Sequence, residues 1–296
     1  MGIVTFGKNI IRLFRYDLKK HHKAISELRK YPKLIDNIKY QIADEIATVQ
    51  LPNILNQFES IEAIINSNKS VIRFGDGEFN LILGNGIGFQ EYNHELSTRL
   101  KEIMTTNDPN ILIGLSRRFG CLNDVNEDVR AYWRWFMVQH REQLYKMIDF
   151  NKVYIDTCLT AHSIEVEDHT TPECKADTKK YYNLVRKIWD NKDITIIKGQ
   201  DVNEFKYDIY DNAKSVNYIY GPLENAYREY KHILSEAEKI SKDRLVLITM
   251  GPTAKVLAYD LHKKGYRVID IGHMAKAYDW LKTHNNKIIA GQFFAS

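Results

Sequence analysis

No segment of this sequence is apolar for long enough to cross a bilayer. The most apolar stretches, such as Leu245–Met250, fall far short of the roughly 20 residues a spanning helix needs. The amino terminus lacks the continuous apolar run and small-residue cleavage site of a signal peptide. Phe6 stands where myristoylation after Met1-Gly2 would require Ser or Thr. Cysteine is scarce. Cys121, Cys158 and Cys174 form no CxxC pair and are odd in number, which argues against a disulfide framework and fits a reducing compartment. The chain also lacks low-complexity tracts, repeats, a GxSxG elbow and a P-loop. Gly84-Asn85-Gly86-Ile87-Gly88 is not GxGxxG, so no dinucleotide site is expected. Cys158, His162, His169 and Cys174 match no zinc-binding spacing. These absences predict a cytoplasmic protein.

The chain's 296 residues, 44% hydrophobic and 27% charged, suit one large α/β domain with an appendage, or two small domains. The net charge of +4 is unevenly placed. Residues 1–40 carry ten Lys or Arg against three acids, a local +7, and the rest of the chain sums to −3. A nucleic-acid binder would spread its positive charge otherwise, so no nucleic-acid partner is expected.

Ile10, Phe14 and Leu18 recur at helical spacing among basic residues, which predicts a helix over 8–30. Pro32 and Pro52 separate two more helical stretches, 34–49 and 54–67. Residues 1–67 thus read as a basic helical extension, and 68–296 as a catalytic domain. From Ser70 onward, β-branched runs alternate with amphipathic stretches. The strand candidates are Val71–Phe74, Ile111–Leu115, Val153–Thr157, Ile194–Ile197, Val216–Tyr220, Leu245–Thr249 and Arg267–Ile271. Helices are predicted over His94–Met104, Asn126–Met147, Lys175–Trp189, Glu224–Lys242 and Thr253–Lys264. The alternation predicts a Rossmann-like α/β fold, a mainly parallel sheet with helices on both faces. Ligands of such sheets sit beyond the carboxyl ends of the strands.

Four constellations fall at those ends or near them. Arg73-Phe74-Gly75-Asp76-Gly77-Glu78 places two carboxylates two residues apart on a glycine turn. Such a pair repels itself unless a proton or cation intervenes, and Mg²⁺ or Mn²⁺ suits carboxylates plus phosphate oxygens. A solvated acidic turn would have the same composition. Gly251-Pro252-Thr253 follows an apolar strand and opens a helix, where free N–H groups and the dipole favour an anion; Thr253 could equally be a plain cap. Asp208, Asn212 and Lys214 offer hydroxyl and phosphate partners, or form a polar loop before a strand. His273, after Asp270-Ile271-Gly272, reads as a phosphate partner, a proton carrier or a structural histidine. Tyr132, Trp133, Trp135 and Phe136 read as a helix packing face, although an exposed Trp could stack on a sugar.

From about Ser70 to Leu281 the sequence resembles the bacterial GT-D-fold glycosyltransferases. Arg73–Phe79, Asp208–Ser215, Gly251–Ala254 with Leu257–Leu261, and Asp270–His273 carry the likeness in order, with Gly221-Pro222 and Asn225-Ala226-Tyr227 beside them. Ala161 stands where the resemblance leads one to expect Arg, and Glu204–Tyr207 replace a glycine- and asparagine-containing approach. The resemblance implies a Rossmann-like fold, a UDP-sugar donor, and Asp76-Gly77-Glu78 as the family's Asp-x-Glu motif at the metal and diphosphate.

The resulting expectation is a metal-dependent hexosyltransferase. It would act on a glycan or lipid-linked glycan acceptor in cell-surface polysaccharide or glycoprotein synthesis. Asp76 and Glu78 would hold Mn²⁺ or Mg²⁺. Arg73, Gly75, Gly77, Asp208, Asn212, Lys214, Gly251, Pro252, Thr253 and His273 would bind the donor. Glu78, Asp208 and His273 are the candidate bases. Residues 1–40 would touch anionic lipid at the inner face of the membrane, or be a helix with a solvated basic face. A phosphoryl or nucleotidyl transferase and a non-catalytic nucleotide- or glycan-binding module are the rival readings.

Overall fold

The computed structural model describes residues 18–32, 35, 38, 49–123, 125–160, 171–200 and 205–283. The chain divides into two compact units, Met1–Gln50 and Leu51–Ser296. In the first, residues 18–28 are helical and Leu18, Ile25 and Leu28 are exposed. The predicted helical residues 8–17, and most of 34–49, lie outside the described residues. Among the described residues no helix is long and apolar enough to cross a membrane.

The second unit runs β1 (Asn53–Ile54), α1 (Gln57–Ile65), β2 (Ser70–Arg73), α2 (Asp76–Ile82), α3 (His94–Met104), β3 (Ile111–Leu115), α4 (Glu127–Tyr145) and β4 (Val153–Asp156). It continues α5 (Pro172–Arg186), β5 (Asp193–Gly199), β6 (Ser215–Gly221), α6 (Tyr230–Ala237), β7 (Leu245–Thr249), α7 (Thr253–Lys263), β8 (Val268–Asp270) and α8 (Met274–Thr283). All seven predicted strands are present; β1, α2 and α8 are additional. Residues 51–67, read from sequence as part of the extension, fall in this unit. β1 pairs with β4, and Ile61 and Ile64 of α1 are fully buried. Asn56 starts α1 with a capping box, accepting from Glu59 N while Glu59 accepts from Asn56 N.

The eight strands form one sheet in the order β1-β4-β3-β2-β8-β7-β5-β6, and every pair is parallel. Alternate residues of the strands feed two separate cores. Ile72, Ile113, Ile197, Val246, Ile248 and Val268 pack toward α2, α3, α4, α6 and α7. Val71, Ile155, Ile196, Leu247 and Ile269 pack toward α1, α5 and α8. The two-residue period of a strand puts neighbouring side chains on opposite faces, so continuous apolar runs such as Leu245–Ile248 are covered on both.

The order fixes the site. From β2 the chain moves outward through β3 and β4, and it returns from the other side through β7 to β8. β2 and β8 therefore meet at a switch in direction, the place where open α/β sheets bind their ligands.

Candidate active site

Three of the four sequence constellations converge at that switch. The Asp76-Gly77-Glu78 turn follows β2, Gly272-His273 follows β8, and Gly251–Thr253 follows β7, the next strand along.

The centre is a buried charge cluster. Lys255, 5% exposed, reaches from the first turn of α7 to Glu78 Oε1 at 2.8 Å and Asp270 Oδ2 at 3.1 Å. Arg73 donates from Nε to the Asp270 carbonyl (2.8 Å) and from Nη1 to the Thr157 carbonyl (2.6 Å), and its Nη2 pairs with Asp270 Oδ1 at 3.2 Å. Two cations and two carboxylates thus compensate one another in a poorly hydrated place, where an unpaired charge is costly. Burial pushes the Asp270 carboxyl up, but Arg73 and Lys255 outweigh it and hold it below the usual range. Burial lowers Lys255, and Asp270 with Glu78 more than restores it.

The two acids of the turn have different surroundings. Glu78 is 8% exposed and both its oxygens are engaged, Oε1 by Lys255 and Oε2 by Gly75 N at 2.9 Å. Asp76 is partly exposed. Its Oδ2 accepts from the Tyr132 hydroxyl at 2.5 Å, and its Oδ1 has no hydrogen bond among the described residues. Both acids sit in the first turn of α2, where the helix dipole favours negative charge.

Gly251 adopts φ +50° and Gly272 φ +47°, left-handed values that favour glycine. A Cβ on Gly251 would meet Phe89 Cε2 at 2.8 Å, and one on Gly272 would meet Arg73 Nη2 at 2.0 Å. Thr253 opens α7 fully buried, and its Oγ1 has no partner among the described residues. His273 is open to solvent on one side but crowded by protein on the others. That crowding, and then the charges of Arg73, Lys276 and Lys255, push its imidazole down to about 4, so it is neutral at pH 7.

Asn212 and Lys214 are not brought to this edge. Lys214 precedes β6 and pairs with Asp193, the first residue of β5, at 2.9 Å. Because the strands are parallel, that is the amino end of the sheet. Asn212 donates to the Arg186 carbonyl and to Asp190 at the end of α5. Asp208 accepts from Tyr210 N two residues on, closing a local turn. Arg73, read from the sequence as a donor-binding residue, is engaged by Asp270 and the Thr157 carbonyl.

Lys255 is the residue sequence reasoning missed. Its signal was a charge inside Ala254–Ala258, an otherwise apolar run that is buried from end to end. Among the described residues no group of three or more His, Cys, Asp or Glu gathers as metal ligands do. Cys158 Sγ lies 3.7 Å from Ser116 Oγ; His162 and His169 lie outside the described residues.

Over residues 71–294 the sequence matches the family model described as "Glycosyltransferase GT-D fold". It is 34% identical over 232 residues to "Probable glycosyl transferase Gly" of Streptococcus gordonii, covering 78% of this chain and 33% of that protein. It is 31% identical over 231 residues to "Glycosyltransferase GlyD" of Streptococcus pneumoniae serotype 4, covering 76% of this chain and 27% of that protein. The chain therefore spans a third or less of these relatives' own length. A solved structure, "The highly conserved domain of unknown function 1792 has a distinct glycosyltransferase fold", matches with TM-score 0.74 at 32% identity, over 79% of this chain and 83% of that one. Another, "A New Glycosyltransferase (DUF1792) from Streptococcus sanguinis", matches with TM-score 0.71 at 32% identity, over 79% and 85%. The family model, the relatives and the solved structures agree, and the chain belongs to the GT-D-fold glycosyltransferase family.

Proposed function

We propose that this chain transfers a hexose from a nucleoside diphosphate, UDP above all, to a hydroxyl of a glycan acceptor in the building of a bacterial surface polysaccharide or glycoprotein. The observation that carries the reading is the convergence of Asp76, the Gly251–Thr253 helix start and His273 at the β2/β8 switch point. The start of α7 offers the positive end of its dipole to the diphosphate, while the Thr253 hydroxyl is sealed inside the protein. His273 is uncharged at neutral pH, so it can accept a hydrogen bond or the acceptor's proton. Glu78 is held by Lys255 and is poorly placed to be that base.

The residues fit a divalent ion bound mainly through Asp76. Mg²⁺ and Mn²⁺ need only one or two carboxylates when phosphates and water complete their shell, and Asp76 keeps one oxygen uncommitted. Such an ion would neutralise charge on the departing diphosphate. Glu78 then orders the turn through Gly75 N rather than ligating directly. The test is UDP release from UDP-hexoses by the purified chain, with Mn²⁺ and then with EDTA. Turnover that EDTA abolishes supports the assignment; turnover indifferent to EDTA removes the metal, and no turnover or UDP binding at all removes the enzyme reading.

Peripheral contact with anionic lipid is proposed for the basic amino-terminal unit, where Leu18, Ile25 and Leu28 are exposed on a lysine-rich helix. The full chain should bind phosphatidylglycerol vesicles at low salt and a chain lacking residues 1–30 should not; equal binding by both would end this idea.

A further inference from the structure

Helix α4 presents to solvent an aromatic surface that the fold does not use. Trp135 is 57% exposed and Tyr132 37%, and Val138 beyond them is 75% exposed. Exposed large apolar groups in one patch, unlike single scattered ones, mark a binding surface. Their setting is rigid. Phe136 lies beneath Tyr132 with ring centroids 6.0 Å apart and planes at 23°, Trp133 meets it edge-on at 5.9 Å, and both are buried in the core. Tyr132 and Trp135 are 6.3 Å apart and tilted by 40°, so neither covers the other's face. The exposed Tyr218 and Tyr220 of β6 differ: their rings lie nearly parallel, 5.8 Å apart at 12°, and cover each other.

The patch is anchored to the site. The Tyr132 hydroxyl donates to Asp76 Oδ2 at 2.5 Å, so the aromatic surface starts at the carboxylate assigned to the donor diphosphate. Trp135 lies three residues further, about 4.5 Å along the axis. A transferase needs the accepting hydroxyl close to the donor's anomeric carbon, and so needs a surface for the acceptor ring next to its diphosphate site. Pyranose rings have an apolar C–H face and a polar hydroxyl edge. Tyr and Trp have the matching pattern, a broad apolar face and one polar tip, and lose little conformational entropy on contact.

We propose that Tyr132 and Trp135 form the acceptor subsite, stacking on the sugar ring that receives the transferred hexose, with Tyr132 fixing its position relative to Asp76. This inference rests on the transferase reading above.

The test is an NMR titration of the full chain with ¹⁵N-labelled tryptophan. Its four indole N–H signals come from Trp133, Trp135, Trp189 and Trp280, and Trp135→Phe assigns the one in question. UDP with diamagnetic Mg²⁺ is added first, then cellobiose, lactose or N,N′-diacetylchitobiose. At least one disaccharide is expected to shift the Trp135 signal saturably while leaving that of buried Trp189 in place. Trp135→Ala should weaken that binding by about fivefold or more, with Trp135→Phe, followed by saturation-transfer signals of the sugar, close to the native chain. Tyr132→Phe keeps the ring and loses the tie to Asp76, and should weaken sugar binding more with UDP present than without it. If UDP binds and no disaccharide touches Trp135, the subsite is overturned and the transferase reading stands. A Trp135 signal that moves with protein concentration instead would assign the patch to contact between copies and overturn it too. If UDP does not bind, the transferase reading falls and takes the subsite with it.

Discussion

The ammonium of Lys255 lies 2.8 Å from Glu78 Oε1, both side chains being about nine-tenths buried. Two acids on one turn suggest an ion held between them, yet the structure gives one of them a resident cation from α7. Lys255 also spans to Asp270 at 3.1 Å, which ties the tips of β2, β7 and β8 together through charge. The carboxylate left with an open oxygen is Asp76, and the donor chemistry is assigned to it for that reason.

Removing Lys255 leaves Glu78 and Asp270 buried with less compensation. Lys255→Ala should therefore cost about 3–5 kcal/mol of stability, the usual cost of breaking a buried ion pair from one side. Chemical denaturation measures it. The cluster also predicts a pH window. Asp270 is held below its ordinary 3.8, so its contribution is complete above that pH and lost as pH falls through its lower folded value. Lys255 is raised above 10.5, so its share is complete below that pH and lost as pH rises past its folded value. Stability from this cluster should be flat between those limits, and a midpoint of loss near neutral pH would contradict the charge assignment.

Asp76→Asn and Glu78→Gln should separate into two phenotypes. Asp76 is partly exposed and Asn can still accept from Tyr132, so its variant should unfold within about 0.5 kcal/mol of the native protein. Glu78→Gln removes a charge facing Lys255 and should cost about 1–3 kcal/mol. Sugar-nucleotide turnover should fall in both, but calorimetric Mn²⁺ binding in the presence of UDP should vanish chiefly in Asp76→Asn. The opposite ranking would move the ion to Glu78.

His273 should titrate near 4 by proton NMR. Its folded value lies below the ordinary 6.5, so the unfolded chain takes up this proton first as pH falls. Stability should therefore decline from pH 6.5 toward 4, and His273→Gln should flatten that part of the profile. A midpoint near 6.5 would show that neither burial nor the charges of Arg73, Lys276 and Lys255 hold the ring down.

Gly272→Ala puts a side chain at φ +47° with its Cβ 2.0 Å from Arg73 Nη2. The strain and the displaced guanidinium should together cost about 1–3 kcal/mol. Thermal melts of the variant and of Gly265→Ala compare the two effects. Gly265 is also left-handed at φ +88°, but its Cβ would meet its nearest atom, Lys242 Nζ, only at 3.6 Å, so it should lose less.

Lys214→Ala tests the placement of the Asp208–Ser215 loop. With Lys214 at the amino end of β6 against Asp193, the KM for sugar nucleotide should be unchanged. A marked rise in KM alone would return this lysine to the donor site.

The sequence by itself determined the layered parallel fold. Strand signals such as Leu245–Thr249 and helix signals such as His94–Met104 are local: β-branched runs, apolar periodicity and capping residues act within a few neighbours. It also marked the turns after β7 and β8, where the left-handed backbone of Gly251 and Gly272 is a local requirement for glycine. What it did not determine is which turns meet. Asp208–Ser215 had the composition of a donor loop, yet the direction of β6 carries Lys214 to the opposite end of the sheet. Lys255 is 177 residues from Glu78 in the chain, and only the adjacency of β2, β8 and β7 makes them partners. Tyr132 read as a packing residue until the crossing of α4 over the Asp76 turn gave its hydroxyl a carboxylate. Charge pairing acts through a few ångströms of space whatever the separation in sequence, so the identity of each partner was settled by strand order and helix placement alone.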